Sequence, residues 1–220
     1  MQNRLRSTRR RLAIFGAGGH GRELAWLAEL VGWKRSDLCF VVDKPAYRVK
    51  HVNGLAVCLL DDAIALGEEA GYVVALGDAL ARERSVILCE RAGLTPVSLI
   101  HPGIELSPSV NIGQGSVICA GTILTTNIHI GRHVHINIGC TISHDAEVAE
   151  FATLSPGVHI AGHVSVGRRA FIGIGAVIIN GSENERLVIG DDAVIAAGAC
   201  VTCSVEAGAM VAGVPAVSKR

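Results

Sequence analysis

His144 and Asp145 are adjacent, and Gly162 follows His144 after 18 residues. An imidazole can take a proton from a nucleophile at neutral pH, and a neighbouring carboxylate can fix its tautomer. A glycine amide, with no side chain in the way, can hold a developing oxyanion. The trio would suit acyl transfer, provided the fold stacks residues 18 apart. A second group, Gly16-Ala17-Gly18-Gly19-His20-Gly21, has the make-up of a phosphate-binding turn. Its glycines let the backbone approach an anion, and a following helix offers free N–H groups. Asp43 lies about where a ribose-binding acid belongs. His20 places a bulky donor inside the loop, which suits a sugar or phosphate better than a close nicotinamide cofactor. His129, His133 and His135 raise the question of metal, but residues six apart fall on different faces of a coil and form no ligand column. No metal is therefore expected. Cys200 and Cys203 have no second pair to complete a zinc site and read as filler at coil positions.

The glycine turn needs a strand before it and a helix after it, and the N-terminal part supplies both. Leu12–Phe15 reads as a short apolar strand, and Trp26, Leu27 and Leu30 as one face of a helix that stops at Gly32. Leu38–Val42 is a second strand ending at Asp43, and Asp61–Glu69 a helix with an acidic first turn. Tyr72–Leu76 is a third strand closed by Gly77-Asp78, Ala79–Ala92 a helix stopped by Gly93, and Val97–Ile100 a fourth strand. Alternating strand and helix predicts a small parallel α/β unit over 12–102, with His101-Pro102 as its boundary. That length is too short for two mononucleotide halves plus a substrate domain. One nucleoside, linked to something else, is the better fit. The basic stretch Met1–Arg11 reads as a solvated tail and lacks the apolar core of a signal peptide.

The trio needs a different scaffold. From Ile100 to Ile178 every sixth residue is Ile, Leu or Val, and the beat resumes at Ile189, Ile195 and Val201 after a five-residue insertion. Neither an amphipathic helix nor an alternating strand has that period. A solenoid does, with each hexapeptide forming one face and three faces closing a coil. Residues two places before the beat, such as Ser116, Thr122, Val134, Cys140, Ala146 and Ala152, are small or β-branched, as a narrow interior requires. The solenoid is expected over 103–214, with a tail at 215–220 whose last two residues, Lys219 and Arg220, are expected to fray. His144 then stacks on Gly162 and Asp145 on His163, and the insertion at Asn180–Val188 should overhang the same column.

Bulk properties narrow the function. Lys+Arg and Asp+Glu both number 20, so no net field invites nucleic acid or an anionic membrane. No apolar run reaches the length of a membrane span. Seven cysteines at no disulfide-like spacing point to a reducing cytoplasm.

At these residues the chain resembles the sugar acetyltransferases of the left-handed β-helix superfamily. It is most similar to the group carrying an N-terminal nucleotide-sugar-binding βαβ domain, which includes UDP-4-amino-sugar and GDP-perosamine N-acetyltransferases and sialic acid O-acetyltransferases. The resemblance runs from Gly16-Ala17-Gly18-Gly19-His20 through Asn137, His144 and Asp145 to Ala212-Gly213-Val214-Pro215-Ala216. It implies a Rossmann-like α/β domain followed by an all-β left-handed parallel β-helix, in a homotrimer with active sites between subunits. It implies acetyl-CoA as co-substrate and a nucleotide-linked amino sugar as acceptor, in the biosynthesis of a bacterial surface glycan such as O-antigen or capsule. His144 would be the general base, supported by Asp145. Gly162 would bind the thioester carbonyl, Ile174 would lie along the pantetheine arm, and Asn137 would face the acceptor. Gly18, Gly19, His20, Asp43, Lys44 and Gly77 would hold the nucleotide sugar. Thr153 stands at an acetyl-CoA position where the family often has a second histidine, and the insertion after Ile179 is a further departure. Three other readings stay open: a sugar O-acetyltransferase, a metal-dependent enzyme like the γ-carbonic anhydrases, and a non-catalytic nucleotide-sugar-binding protein.

Overall fold

A computed structural model describes residues 11–63 and 70–219. The expected tail at 1–11 falls almost wholly outside these residues, as does most of the helix expected at Asp61–Glu69, of which α2 (Leu60–Ala63) is described. The chain divides into two compact units. One runs to Leu76 and takes in Arg84–Val97; the other comprises Gly77–Glu83 and everything from Ser98.

In the first unit β1 (Leu12–Phe15) lies between β2 (Leu38–Val42) and β5 (Gly71–Val74), all parallel. The sheet order is β3-β4-β2-β1-β5-β6, where β3 is His51–Val52, β4 is Leu55–Leu59 and β6 is Thr95–Pro96. The three central strands are buried along their whole length, which is why each reads as a continuous apolar run rather than an alternation. Helix α1 (Gly19–Leu30) buries Leu24, Ala25, Leu27 and Ala28, while Trp26 is exposed. The β3–β4 hairpin was not anticipated, although Asn53-Gly54 at its turn, with φ of 47° and 79°, is a strong sequence signal for one.

The second unit is the solenoid expected from the period of six, wound as the left-handed parallel β-helix that the resemblance implies. Strands of two or three residues stack into three sheets, and each residue pairs with the one 18 positions on, as in Val117↔His135, Thr141↔His159 and His129↔Glu147. Across the insertion the offset grows to 23, as in Phe171↔Val194, and past it the offset falls to 16, as in Val194↔Met210. The beat residues from Ile118 to Val201 line the interior at 0–2 % exposure, together with Ser116, Thr122, Val134, Cys140, Ala146 and Ala152. Full burial of one such aliphatic side chain is worth roughly 1.5–3 kcal/mol, so the stacked column supplies the core. The expected strand Val97–Ile100 is split. Leu99–Ile100 (β7) pairs with Val117–Ile118 and opens the solenoid ladder, because Leu99 and Ile100 already stand one coil length before that pair. Lys219, expected to fray, pairs with Met210 after the chain reverses at Gly213–Ala216.

Candidate active site

The coils turn at three corners, and residues with positive φ stack at each of the three. One corner is all glycine: Gly121, Gly139, Gly157, Gly175 and Gly198. A second stacks His133, Phe151, Arg169 and Asp192 at φ 54–61°. The third stacks Asn127, Asp145 and His163 at φ 54°, 58° and 55°. Asn and Asp accept this conformation at the least cost among non-glycine residues. At the third corner the side chains converge.

The His144 Nδ1 and Asp145 Oδ2 atoms are 2.8 Å apart. Asn127 Nδ2 donates to Asp145 Oδ1 at 3.1 Å, from the coil above. His163 Nε2 stands 3.8 Å from Asp145 Oδ2, and its ring meets that of His144 edge-on with centroids 5.2 Å apart. The hydrogen bond from His144, then that from Asn127, holds the Asp145 carboxyl below the ordinary carboxylate range. An ionised carboxylate only accepts, so Nδ1 of His144 carries the proton and Nε2 is left as the base. The His144 side chain is 54 % exposed, open to a substrate.

Nε2 lies over Gly162. A Cβ built on that glycine would stand 2.5 Å from His144 Cε1 and 2.7 Å from Nε2, so the imidazole occupies the space a side chain would need. Among the described residues the Gly162 N–H donates to no protein group. The imidazole and the glycine backbone are therefore neighbours at this corner. The donors of His144, Asp145 and His163 also lie within 4.8 Å of one another, the only such trio found among the described residues. His129 is exposed while His133 and His135 are buried, so these three do not form a comparable group.

The other expected residues lie apart from this corner. Ile174 is 57 % exposed at a turn of the glycine corner. Asn137 is half-buried and its Nδ2 donates to the Leu154 carbonyl at 2.7 Å, an inward commitment. Thr153 is buried, and its hydroxyl accepts from Arg82 at 2.9 Å and donates to the Gly77 carbonyl at 3.4 Å. Arg82 is itself fully buried, its guanidinium also bonded to the carbonyls of His133, Phe151 and Ala152. Burial pushes its pKa down to about 10.

In the first unit the strand order reverses at β1, whose neighbours are β2 and β5. In open α/β sheets ligands bind outside the carboxyl ends of strands at such a reversal. Packing explains two glycines of the turn: a Cβ on Gly21 would stand 2.0 Å from the Gly16 carbonyl oxygen, and Gly16 has φ +106°. It does not explain Gly18 or Gly77, where a Cβ would meet nothing within 4 Å, nor Gly19, where the sole neighbour is Arg22 at 3.8 Å. All three are exposed and leave backbone bare. Gly18 caps α1, so the free amides of its first turn start here. Asp43 and Lys44 follow β2 and are exposed, and His20 Nδ1 lies 3.1 Å from Glu23.

Sequence reasoning put His163 beneath Asp145 but gave it no role, and it missed Asn127, Arg82 and Arg186. The spacing of 18 in Asn127, Asp145 and His163 was the available signal for Asn127. Nothing in the period points to Arg82 or Arg186.

Comparisons with known proteins place the chain as a whole. Residues 11–87 match the PglD N-terminal domain family. GDP-perosamine N-acetyltransferase of Escherichia coli O157:H7 is 35 % identical over 92 % of this chain and 93 % of its own length. WeeI from Acinetobacter baumannii AYE superposes with a TM-score of 0.90 at 31 % identity, covering 95 % of this chain and 99 % of that one. A histidine-to-asparagine mutant of perosamine N-acetyltransferase from Caulobacter crescentus, in complex with CoA and GDP-perosamine, superposes at 0.87 with 30 % identity, covering 96 % and 97 %.

Proposed function

We propose that this chain, which belongs to the family of GDP-perosamine N-acetyltransferase and its relatives, transfers acetyl from acetyl-CoA to the amino group of a nucleotide-linked amino sugar. The observation that supports the reading is the His144 ring packed over Gly162, with its Nδ1 2.8 Å from the Asp145 carboxylate. The amine attacks the thioester carbonyl directly. His144 takes the amine proton at Nε2, and the Gly162 N–H holds the oxyanion of the tetrahedral intermediate. On collapse the C–S bond breaks and His144 returns its proton to the CoA thiolate. Asp145 keeps Nδ1 protonated throughout. Gly18, Gly19, His20, Asp43, Lys44 and Gly77 hold the nucleotide sugar, Asn137 borders the acceptor, and Thr153 and Ile174 border acetyl-CoA.

No acyl-enzyme enters this scheme. All seven cysteines are free, and burial pushes the Cys140 thiol up to about 11 and those of Cys39 and Cys89 up to about 12. The free thiols support a reducing cytoplasm, and no described helix is long and apolar enough to cross a membrane. A flat-sided prism with Ile138, Val177 and Ile179 exposed supports burial between copies in a trimer.

The test is thiol release from acetyl-CoA against a panel of nucleotide-linked amino sugars. H144A loses about 10²- to 10⁴-fold in turnover, the span for removal of a general base, and keeps its fold. Near-wild-type turnover in H144A removes the mechanism. The trio of donors around Asp145 favours one rival, a metal-assisted reaction. EDTA leaves turnover unchanged on the present reading and abolishes it on the rival.

A further inference from the structure

The segment that breaks the period emerges beside the active-site corner. Gly181 N donates to the Gly162 carbonyl at 3.0 Å, and Leu187 N to the His163 carbonyl at 3.1 Å, so the ladder is kept on both sides of the five residues Ser182–Arg186. The loop is closed on itself by Ser182 N donating to the Glu185 carbonyl at 2.8 Å and Glu185 N to the Ser182 hydroxyl at 3.0 Å. Its last residue, Arg186, turns back across two coils. Nη2 donates to the Asp145 carbonyl at 2.8 Å and to the Val164 carbonyl at 3.3 Å, and Nε to Ser165 Oγ at 2.7 Å. Glu147 Oε1 stands 3.5 Å from Nη2 and balances the charge. Among the described residues the Asp145 carbonyl has no other donor.

We propose that Arg186 is a positioning residue for acetyl transfer, and that the inserted loop exists to deliver it. The reading rests on the proposed role of His144. Asp145 sits in a turn with φ +58°, a conformation that Asp accepts at lower cost than most residues but that outside contacts still help to hold still. Asn127 holds its side chain from one coil, and Arg186 holds its backbone from the opposite direction. With both in place the carboxylate stays 2.8 Å from Nδ1 of His144, and Nε2 stays over Gly162. The planar fork suits this task because it ties the Asp145 turn to Ser165 and Val164, one coil on, in one rigid unit. Arg186 touches no reacting atom.

The test uses the full-length R186A and R186K variants. Turnover in R186A falls about 10- to 100-fold, as expected when a base is misplaced by up to about 1 Å, while KM for both substrates stays within about threefold, because no substrate contact is removed. R186K recovers part of the loss by keeping one donor to the Asp145 carbonyl. Guanidinium chloride at millimolar concentration raises turnover of R186A and leaves wild type unchanged. A readout independent of activity is the ¹⁵N spectrum of the His144 ring, in which the Nδ1-protonated tautomer dominates in wild type and gives way to a mixture in R186A. Should R186A misfold, replacing Ser182–Glu185 with two glycines slackens the arm that carries Arg186 and must give the same tautomer mixture. Wild-type turnover in a folded R186A overturns the proposal, as does an unchanged tautomer. Lack of any acetyl transfer by the wild type overturns the functional reading instead, and the ring spectrum still decides the positioning.

Discussion

Replacing Gly162 by alanine separates chemistry from stability at a single methyl group. Gly162 is not among the positive-φ residues, so the backbone itself accepts alanine. The new Cβ would stand 2.5 Å from Cε1 of His144, 2.7 Å from Nε2 and 3.0 Å from Nδ1. Relaxed carbon contacts are about 3.5–4.0 Å, so the ring must retreat by about 1 Å or more. The imidazole is 54 % exposed and can swing towards solvent without moving the coil. Gly→Ala gains roughly 0.4–1 kcal/mol through the unfolded chain, and the displaced surface ring gives back a similar amount, so stability changes by no more than about 1 kcal/mol. Activity has no such offset. Displacement of the base by about 1 Å costs on the order of 10²-fold, or about 2.7 kcal/mol in barrier. The N–H of residue 162 is retained, so the loss reports His144 rather than the oxyanion donor. Thiol-release kinetics give turnover and thermal melting followed by circular dichroism gives stability. G162A on top of H144A should cost little more than H144A alone, since both remove the same base. Full activity in G162A, or a loss that simply tracks unfolding, would refute the placement of the imidazole over this glycine.

Other outcomes follow from the same geometry. G139A, at φ +69° with open space around its Cβ, costs about 1–2 kcal/mol in stability through backbone strain alone and leaves turnover of the folded enzyme unchanged; urea unfolding and thiol release check both. The depressed Asp145 pKa means that its contribution to stability is present above the ordinary aspartate range and is lost only as pH falls through the lower folded value. A ¹³C titration of the Asp145 carboxyl should therefore show a midpoint below that of an unpaired aspartate, rising in H144A and, by a smaller step, in N127A. R82M removes the buried guanidinium that bonds the His133 and Phe151 carbonyls and the Thr153 hydroxyl and costs about 3–5 kcal/mol by urea unfolding, whereas an effect below about 1 kcal/mol would mean the clamp is dispensable. C203S, which changes the one exposed cysteine, leaves turnover within twofold; a larger loss would reopen an acyl-cysteine route.

The solenoid was legible because its core follows a one-dimensional rule. Ile118, Ile136 and Leu154 recur in register, and a ladder of identical spacings leaves no freedom in which residue faces inward. The same arithmetic placed His144 on Gly162, since stacking turns sequence distance into contact. The first unit was legible in its strands but not in its β3–β4 hairpin, where the Asn53-Gly54 turn joins the apolar Leu55–Leu59 to a partner, His51–Val52, too short to stand out. Long side chains were the blind spot. Arg82 reaches Phe151 and Ala152 across about 70 positions, and Arg186 reaches Asp145 across 41, and no periodicity encodes where a flexible cation will end. Thr153 was read beside acetyl-CoA, yet its hydroxyl is engaged by Arg82, an interaction invisible until residues 77–83 were seen grouped with the solenoid.

Positive φ alone does not mark the catalytic corner. His133, Phe151 and Arg169 adopt it too, at a corner where the His133 and Phe151 rings stack with centroids 5.3 Å apart and Arg169 is paired with Asp192. There the strained residues spend their side chains on one another. At the other corner Asn127 and His163 both turn to Asp145, Asp145 turns to His144, and His144 keeps one nitrogen uncommitted above an amide that is also uncommitted. The side chains of this column converge on Asp145 and leave His144 Nε2 open beside Gly162. In a fold whose coils are nearly identical, that convergence of side chains beside one imidazole sets this corner apart from the other two. The five-residue insertion falls beside this corner, where an extra donor helps to hold the turn still and would be superfluous where rings already stack.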